Sequence, residues 1–596
     1  MLRVSRSRLG ITLLLISVGV AVASTAVPPQ RIFVDRFVPN QIDLYVANAD
    51  GTDERRLLQQ PSELDYNAAY SLDGQSIVFT SERNGSADLY HVKSDGTALE
   101  RLTDNPAYDD QAAFSPDGRD IVFVSSREGG YANLWILNKA TRKARRLTHQ
   151  VSGDFRPAWS PDGAWIAFSS DRETPIQKAA GRWEYLHFID VYVIKPDGSG
   201  LRRLTTPGGA CGSAKWSRDG RQLVAYCMSG MDSWLNRSAQ ASGTSRLVSI
   251  DIATGATTDI SAGPGAKMSP AFVAGREVGY VRKDGSAPGI FYVGGQKGPS
   301  GVLRSASWAP DGSRVIYHRI NGTVRAIGKP LWSGVPGYEI RTVSEVPAFN
   351  RTGQLLLASR NVRGDWLLNI VDSGTWKERL LYQADGASVM GGQFSPQDDE
   401  VAFGIGGFLN NRERGAQISV VKADGSGFRQ VTTGPNNNAF PSYSADGKQL
   451  VYRTTGPDGR GLRVMSLTDH SVRTLTNEAD NFPLWSPRGD VILFTRLVEP
   501  AFQIFTIRAD GAGLRQLTSA AGNHGHGVWS PDGTAILFDS ARMGFKDEVI
   551  YLDGQQPQGE LFVMRADGTS VRQLTDNQWE DGTPAWQPEP PNQTSR

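Results

Sequence analysis

The chain has 596 residues, more than one ordinary hydrophobic core uses. Its 63 basic residues nearly balance 62 acidic ones, so no strong field marks it for nucleic acid or an anionic membrane surface. With 65 glycines and 14 tryptophans it suits many tight turns and small packed units rather than long helices.

The N-terminus reads as an export signal. Arg3, Arg6 and Arg8 precede an apolar stretch from Ile11 to Val22, broken only by Ser17 and Gly19. Ala21-Val22-Ala23 then offers a small-residue cleavage site, so residues 1–23 are expected to be removed and 24–30 to form a short leader. An uncleaved anchor is the alternative. No cysteine lies nearby for lipid attachment, and no later segment is apolar enough to span a bilayer. The mature protein is expected to be periplasmic or secreted, without stable membrane insertion.

A repeat then organises everything downstream. Each copy has an aromatic residue followed by Ser-Pro-Asp-Gly, an apolar strand, a Ser-x-Arg turn, a second strand, an Asp-Gly turn and Arg-x-Leu-Thr. One copy runs from Phe114-Ser115-Pro116-Asp117-Gly118 through Ile121-Val122-Phe123, Ser126-Arg127 and Leu134-Trp135-Ile136 to Arg146-Leu147-Thr148. Others begin at Tyr70, Trp159, Trp216, Trp308, Phe394, Tyr443, Trp485 and Trp529, with weaker copies near Phe272, Phe349 and Trp586. Their spacing is about 40 to 57 residues, the range of one four-stranded propeller blade. Pro-Asp-Gly reverses the chain because proline presets φ, aspartate caps its own turn and glycine accepts positive φ. The intervening strands are short, β-branched and aromatic. One such sheet cannot bury both faces alone, so neighbouring blades must stack on it and the repeated aromatics are core residues.

Calling the four strands A to D, the chain opens with only B-, C- and D-like segments: Ile32–Val34, Asp43–Val46 and Arg55–Leu57. It closes with a lone A-like strand ending at Trp586. That offset predicts rings fastened by shared blades. Twelve blades in one ring leave too wide a hole, so a cut near Trp308 predicts two tandem six-bladed β-propellers of four-stranded antiparallel blades. They would span 31–310 and 311–590, the second starting with Arg314–Tyr317 as strand B, with 591–596 as a tail. A seven-plus-five split is the alternative.

The Ser-Pro-Asp-Gly, Ser-x-Arg and Arg-x-Leu-Thr signature resembles the TolB-type propeller repeat over nearly all of the mature chain. The resemblance implies an exported, WD-repeat-like propeller. TolB itself carries an additional N-terminal α/β domain, for which the early start of the repeats leaves no room, so no role in the Tol system is implied.

Length variation concentrates in the B–C loops, notably Asp171 to Asp190, Met228 to Gly243, Phe408 to Gly415 and Ser540 to Gly559. Variable loops on a rigid scaffold place binding on the face shared by the D–A and B–C loops. The residues five before the aromatics include Asp65, Asp109, Asp154, Cys211, Asn438, Asp480, His524 and Asp581. Converging carboxylates suit a cation or a basic partner; equally, aspartate caps the start of a strand. Trp183, Tyr185, His187 and Trp234 supply loop aromatics that either stack on a sugar or protein partner or pack the loops down.

Asn523-His524-Gly525-His526-Gly527 is the one local motif with catalytic character. Alternation along a strand puts both imidazoles on one side, where they can share a metal such as Ca or Mn with Asp581, Asp547 or Glu548. Some polysaccharide lyases are propellers with histidine beside a cation. There is no Gly-x-Ser-x-Gly elbow and no phosphate-cradling loop. Cys211 and Cys227 flank one Ser-x-Asp-Gly turn at similar distances and are placed to bridge strands A and B. The leading expectation is a non-catalytic binder of a protein or glycan; the rival is a cation-dependent, lyase-like enzyme centred on His524 and His526.

Overall fold

A computed structural model describes residues 29–174, 186–206, 208–237, 241–261, 263–283, 287–321, 327–362, 365–407, 415–552 and 559–589. The repeat forms as expected. In the copy at Phe114, the Ser115 hydroxyl donates to Asp117 Oδ1 (2.7 Å) and accepts from the Asp120 amide (2.9 Å), while Gly118 takes φ of 69°. The threonine of Arg-x-Leu-Thr has a structural task too: Thr148 Oγ1 accepts the Leu134 amide at 2.9 Å, tying strand D to strand C. Thr103, Thr205, Thr432, Thr476, Thr518 and Thr575 do the same in their own blades.

Twelve four-stranded sheets result, arranged as two six-bladed rings. Leu303–Trp308 packs beside Asp65–Tyr70 to close the first ring, and Glu580–Trp586 packs beside Ala348–Phe349 to close the second. This pairing rules out the seven-plus-five alternative.

The fastening differs from the sequence expectation in two ways. Arg314–Asn321 does not open the second propeller. It is strand B of the first ring's last blade, between Leu303–Trp308 and Gln41–Asn48. Conversely, Gln30–Phe37, with Ile32–Val34 at its centre, does not belong to the first propeller. It fills strand B of the second ring's last blade, antiparallel to Glu580–Trp586 and parallel to Tyr338–Thr342. The parallel pair arises because the chain enters this blade from its rim. Pro330–Leu331 comes first as the outermost strand and Tyr338–Thr342 follows inward, reversing the usual direction. A boundary at 310/311 therefore gives way to a chain that starts in the second ring, builds the first, and returns.

Packing explains the crossing. Phe33 is fully buried in the second ring, with Phe349 at 5.0 Å and Trp376 at 5.7 Å between ring centroids. Arg36, on the same strand, pairs with Asp581 (Nε to Oδ1, 2.5 Å) and so supplies the Arg of the missing Ser-x-Arg turn. In the fourth blade, Cys211 and Cys227 sit opposite each other on strands A and B and are disulfide-bonded. Among the described residues, no helix is long and apolar enough to cross a membrane.

Two outcomes follow from these pairings. Phe33→Ala removes a core side chain at a cost of about 3–5 kcal/mol. It should speed amide exchange in Glu580–Trp586 and Tyr338–Thr342 while Gln41–Asn48 stays protected; equal protection in all three would contradict the crossed fastening. Denatured, unreduced protein should show no reactive thiol, and two after reduction.

Candidate functional site

The aspartates five residues before the aromatics do not meet on the channel axis. Asp65, Asp109 and Asp154 are fully buried, and each is held by the arginine of its own Ser-x-Arg turn: Arg83 at 3.0 Å, Arg127 at 2.5 Å and Arg172 at 2.7 Å. The serine of that motif takes the arginine Nε, as Ser81 does from Arg83 at 2.9 Å. Asp480 pairs with Arg496 and Asp581 with Arg36 in the same manner. In the fourth blade the Cys211–Cys227 disulfide replaces the ion pair with a covalent bond. The signature is a latch within each blade, and the aspartates are spent on it.

His524 and His526 also part company. His526 takes φ of 45°, and a register shift follows between Gly525 and Val528, so strict alternation fails at this point. His524 is fully buried; its Nε2 donates to Ala520 O (3.1 Å) and its Nδ1 accepts from Ser540 Oγ (2.8 Å). His526 Nδ1 instead meets the Asp539 carboxylate at 3.1 Å, and its ring stands edge-on to Phe482. The kink at His526 breaks the period of two and turns its ring to Asp539 while His524 faces Ser540, so the two imidazoles are not joint ligands. Asp547 and Glu548 lie elsewhere, as described next, and no group of three His, Cys, Asp or Glu side chains among the described residues is arranged to hold a metal. Burial pushes Glu345, beside His526, up to about 7 against the pull of that imidazole.

The same kink recurs three residues before the aromatic in nearly every blade, and it defines the channel. In the first propeller Asn67, Gln111, Arg156, Ser213, Ser269 and Ser305 all have φ between 50° and 56°. Each sits at a register shift, turning one side chain inward. In the second propeller the corresponding positions are Val346, Gly391, Phe440, Phe482, His526 and Thr583. One ring is polar throughout and the other mostly apolar. The sequence signal was present, but aligned on the wrong offset from the aromatic.

The polar ring is filled from below by the protein's own loop. Residues 545–552, from the B–C loop of the blade beginning at His524, insert into the first propeller from its D–A/B–C face. Asp547 pairs with Arg156 through both oxygens, with Nε to Oδ1 at 2.8 Å. Glu548 accepts from Ser169 Oγ (2.5 Å), Ser213 N (2.6 Å) and Ser213 Oγ (2.6 Å). Gly212 is required here, since a Cβ at that position would stand 2.5 Å from the Glu548 carboxylate. Tyr551 lies under the Arg156 guanidinium at 3.4 Å, and its hydroxyl meets Ser213 and Ser269. Lys283 Nζ donates to Ile550 O and Leu552 O at 2.8 and 2.6 Å, and Ile550 joins the first propeller's core. Burial opposes the charge on Arg156, but Asp547 more than offsets it, so the guanidinium is held above its ordinary value.

The face expected to bind a partner is therefore, in the first propeller, where the second one docks. His187 is buried there, stacked on Phe545 at 3.9 Å. Further contacts join Glu82 to Trp579 (2.8 Å) and Ser126 to Asp576 (2.5 Å). Trp234 is half-buried in a short helix, Gly230–Leu235, with Arg237 over its ring at 4.8 Å. Trp183 and Tyr185 lie outside the described residues.

The channel stays open at the opposite end, among the A–B turns. There a funnel of about 610 Å³ leads down to Arg156, Ser213, Ser269 and Tyr551. One residue before each aromatic forms its wall: Ala69, Ala113, Ala158, Lys215, Ala271 and Ser307. Burial and the neighbouring Arg156 push the Lys215 ammonium down to about 8, against the pull of Glu548. No carboxylate is among the described residues that line the funnel.

Comparison with known proteins agrees with the fold. The TolB beta propeller domain family matches residues 30–129 and 110–230. A TolB homolog of Chlorobium luteolum is 30% identical over 147 residues, 24% of this chain and 33% of that protein. An uncharacterized protein of Agrobacterium fabrum is 30% identical over 106 residues, 18% of this chain and 30% of that one. The matches thus span about a third of the curated relatives' length. Among solved structures, TolB from Acinetobacter baumannii aligns with a TM-score of 0.35 and 11% identity, over 70% of this chain and 82% of that one. Oligogalacturonate lyase in complex with manganese aligns with a TM-score of 0.23 and 13% identity, over 90% of this chain and 98% of that one. The relationship is a distant one to TolB-type propellers over part of the chain, and the structural likenesses concern the fold alone.

His524 gives a pH test of this arrangement. Burial, then the charge of Arg542, lower its pKa from 6.5 to about 4. The folded state therefore binds fewer protons than the unfolded state between those values, so this contribution is complete above pH 6.5 and lost as pH falls towards 4. It amounts to about 3 kcal/mol at most. His524→Gln should flatten the stability profile over that window, measured by urea unfolding; an unchanged slope would contradict the buried neutral imidazole.

Proposed function

We propose that this protein is an exported, non-catalytic binding protein whose ligand enters the funnel of the first propeller. The observation that carries this reading is the funnel's dead end: a wide mouth among the A–B turns, closed at its floor by the protein's own loop. A through-channel serves passage, whereas a cavity with a fixed polar floor and a rigid wall serves retention. Its volume lies within the roughly 300–1,000 Å³ of sites for drug-sized ligands. Rigid blades preorganise the wall, which limits the entropy cost of binding.

The second propeller then acts as the holder of the floor, and the D–A/B–C loops serve the contact between the rings. Export is supported by the basic and apolar N-terminal run, which lies outside the described residues, and by a disulfide suited to an oxidising compartment. The partner is a segment of protein or a glycan small enough to enter the funnel.

The test compares the native protein with Ala271→Trp, which fills the wall. Panels of short peptides and oligosaccharides are screened by thermal unfolding. A true ligand at roughly a hundredfold excess over Kd stabilises by about 2.7 kcal/mol, a rise of a few degrees. That rise should vanish in Ala271→Trp. Equal stabilisation of both proteins would move the site away from the funnel.

A further inference from the structure

Lys215 stands out among the wall residues. The same position is Ala69, Ala113, Ala158 and Ala271 in four other blades and Ser307 in the sixth, so only one blade places a cation at this level of the wall. It is half-buried and forms no ion pair among the described residues. The other charges of the site are committed. Arg156 and Asp547 neutralise each other, and Glu548 is fully buried beneath Ser213 with three donors on its oxygens. Arg218, at the rim, is bonded across the mouth to Pro310 O.

The rest of the wall mixes alanines and interblade aromatics with polar side chains that already have partners. Asn67, Gln111 and Ser305 bond within the channel ring, Ser307 accepts the Tyr70 amide, and the serines of the A–B turns are used in their own turns. Ser71, Ser115, Ser160 and Ser217 each donate to the aspartate of their own turn, at 2.5 to 2.7 Å. Those aspartates accept their own turn's amides and are not lining residues. A neutral or acidic sugar chain needs hydrogen bonds along its whole length, and this wall offers few. A half-buried, unpaired ammonium on a wall whose other polar groups are already bonded calls for an anion carried on an apolar body. The closed floor adds a topological condition: a chain cannot run through, so only a chain end reaches the bottom.

We propose that the funnel captures the terminal carboxylate of an apolar peptide segment, with Lys215 as its counter-ion and the Ser213, Ser269 and Tyr551 hydroxyls as the polar floor. This deepens the binding function proposed above and rests on it. Capture of a chain-terminal carboxylate is a recurrent recognition mode, and here it uses a side-chain cation within a ring of strands.

The probes are a pool of tetrapeptides of Ala, Val, Leu and Phe with free carboxyl termini, the same pool amidated, 4-phenylbutyrate and trigalacturonate. Binding to the full chain is measured by calorimetry and by the fluorescence of the funnel tryptophans. The free-acid pool should bind at least tenfold more tightly than the amidated pool, as a charge-assisted bond to an ammonium requires. Lys215→Ala should erase that ratio, and Lys215→Arg should retain most of it. Alanine already occupies this place in four blades, so the first variant is expected to fold, checked by an unchanged Tm. Phenylbutyrate binding as tightly as the free-acid peptides would support the carboxylate site and assign it to a small free acid. Equal binding of acid and amide, or a ratio that survives Lys215→Ala, overturns the carboxylate assignment while leaving funnel binding intact. Tighter binding of trigalacturonate overturns the apolar body. Free-acid binding that persists in Ala271→Trp overturns both readings, and no binding by any probe overturns the carboxylate assignment.

Discussion

Ring closure in both propellers runs through the first part of the described chain. A four-stranded blade exposes two apolar faces, and only a neighbour on each side buries them, so an open ring loses core at both ends. Gln30–Phe37 closes the second ring against Glu580–Trp586, and Gln41–Asn48 closes the first against Arg314–Asn321. Between them lie three residues. The two rings are therefore tied at one point by the chain itself, and neither can lose its fastening without straining the other. The buried pair of Arg36 and Asp581 lies at that tie, and removing one partner would leave the other charge buried and unpaired.

The second tie is the inserted loop. It converts a ring of polar side chains into a floor and spends its two carboxylates on Arg156 and Ser213. Buried charges are stable only when their oxygens are matched, and here each has a donor. Placing one propeller's loop inside the other also decides which face is free. The loop-rich face is consumed by the interface, and the stereotyped turns are left to frame the opening. In this protein the short turns surround the site because the long loops have become structure.

The repeat also separates two kinds of charged residue that look alike in the chain. Asp65, Asp109 and Asp154 are latches, each facing the arginine of its own turn. Lys215 has no such partner within its blade. Recurrence is the difference between them. A charge that recurs with its counter-charge at a fixed distance serves the fold, whereas Lys215 breaks a run of alanines and carries the proposed ligand contact.

The sequence by itself determined the blade: its turns, its short strands, its core aromatics and the number of its copies, with Cys211 and Cys227 set on either side of one turn. All of these are contacts within about fifty residues, repeated often enough for the pattern to show. Only the tertiary structure decided which ring each strand near the cut joins, because strand B of either closing blade satisfies the same apolar pattern. It also decided the channel-facing positions, since a residue at positive φ breaks the period of two on which strand reasoning depends. His526 is the plainest case: counted by alternation it joins His524, and kinked it turns to Asp539 instead. The inserted loop lay beyond reach for a third reason. Its partners are hundreds of residues away, and nothing local in Lys546 to Tyr551 distinguishes a loop that binds a ligand from one that binds its own chain.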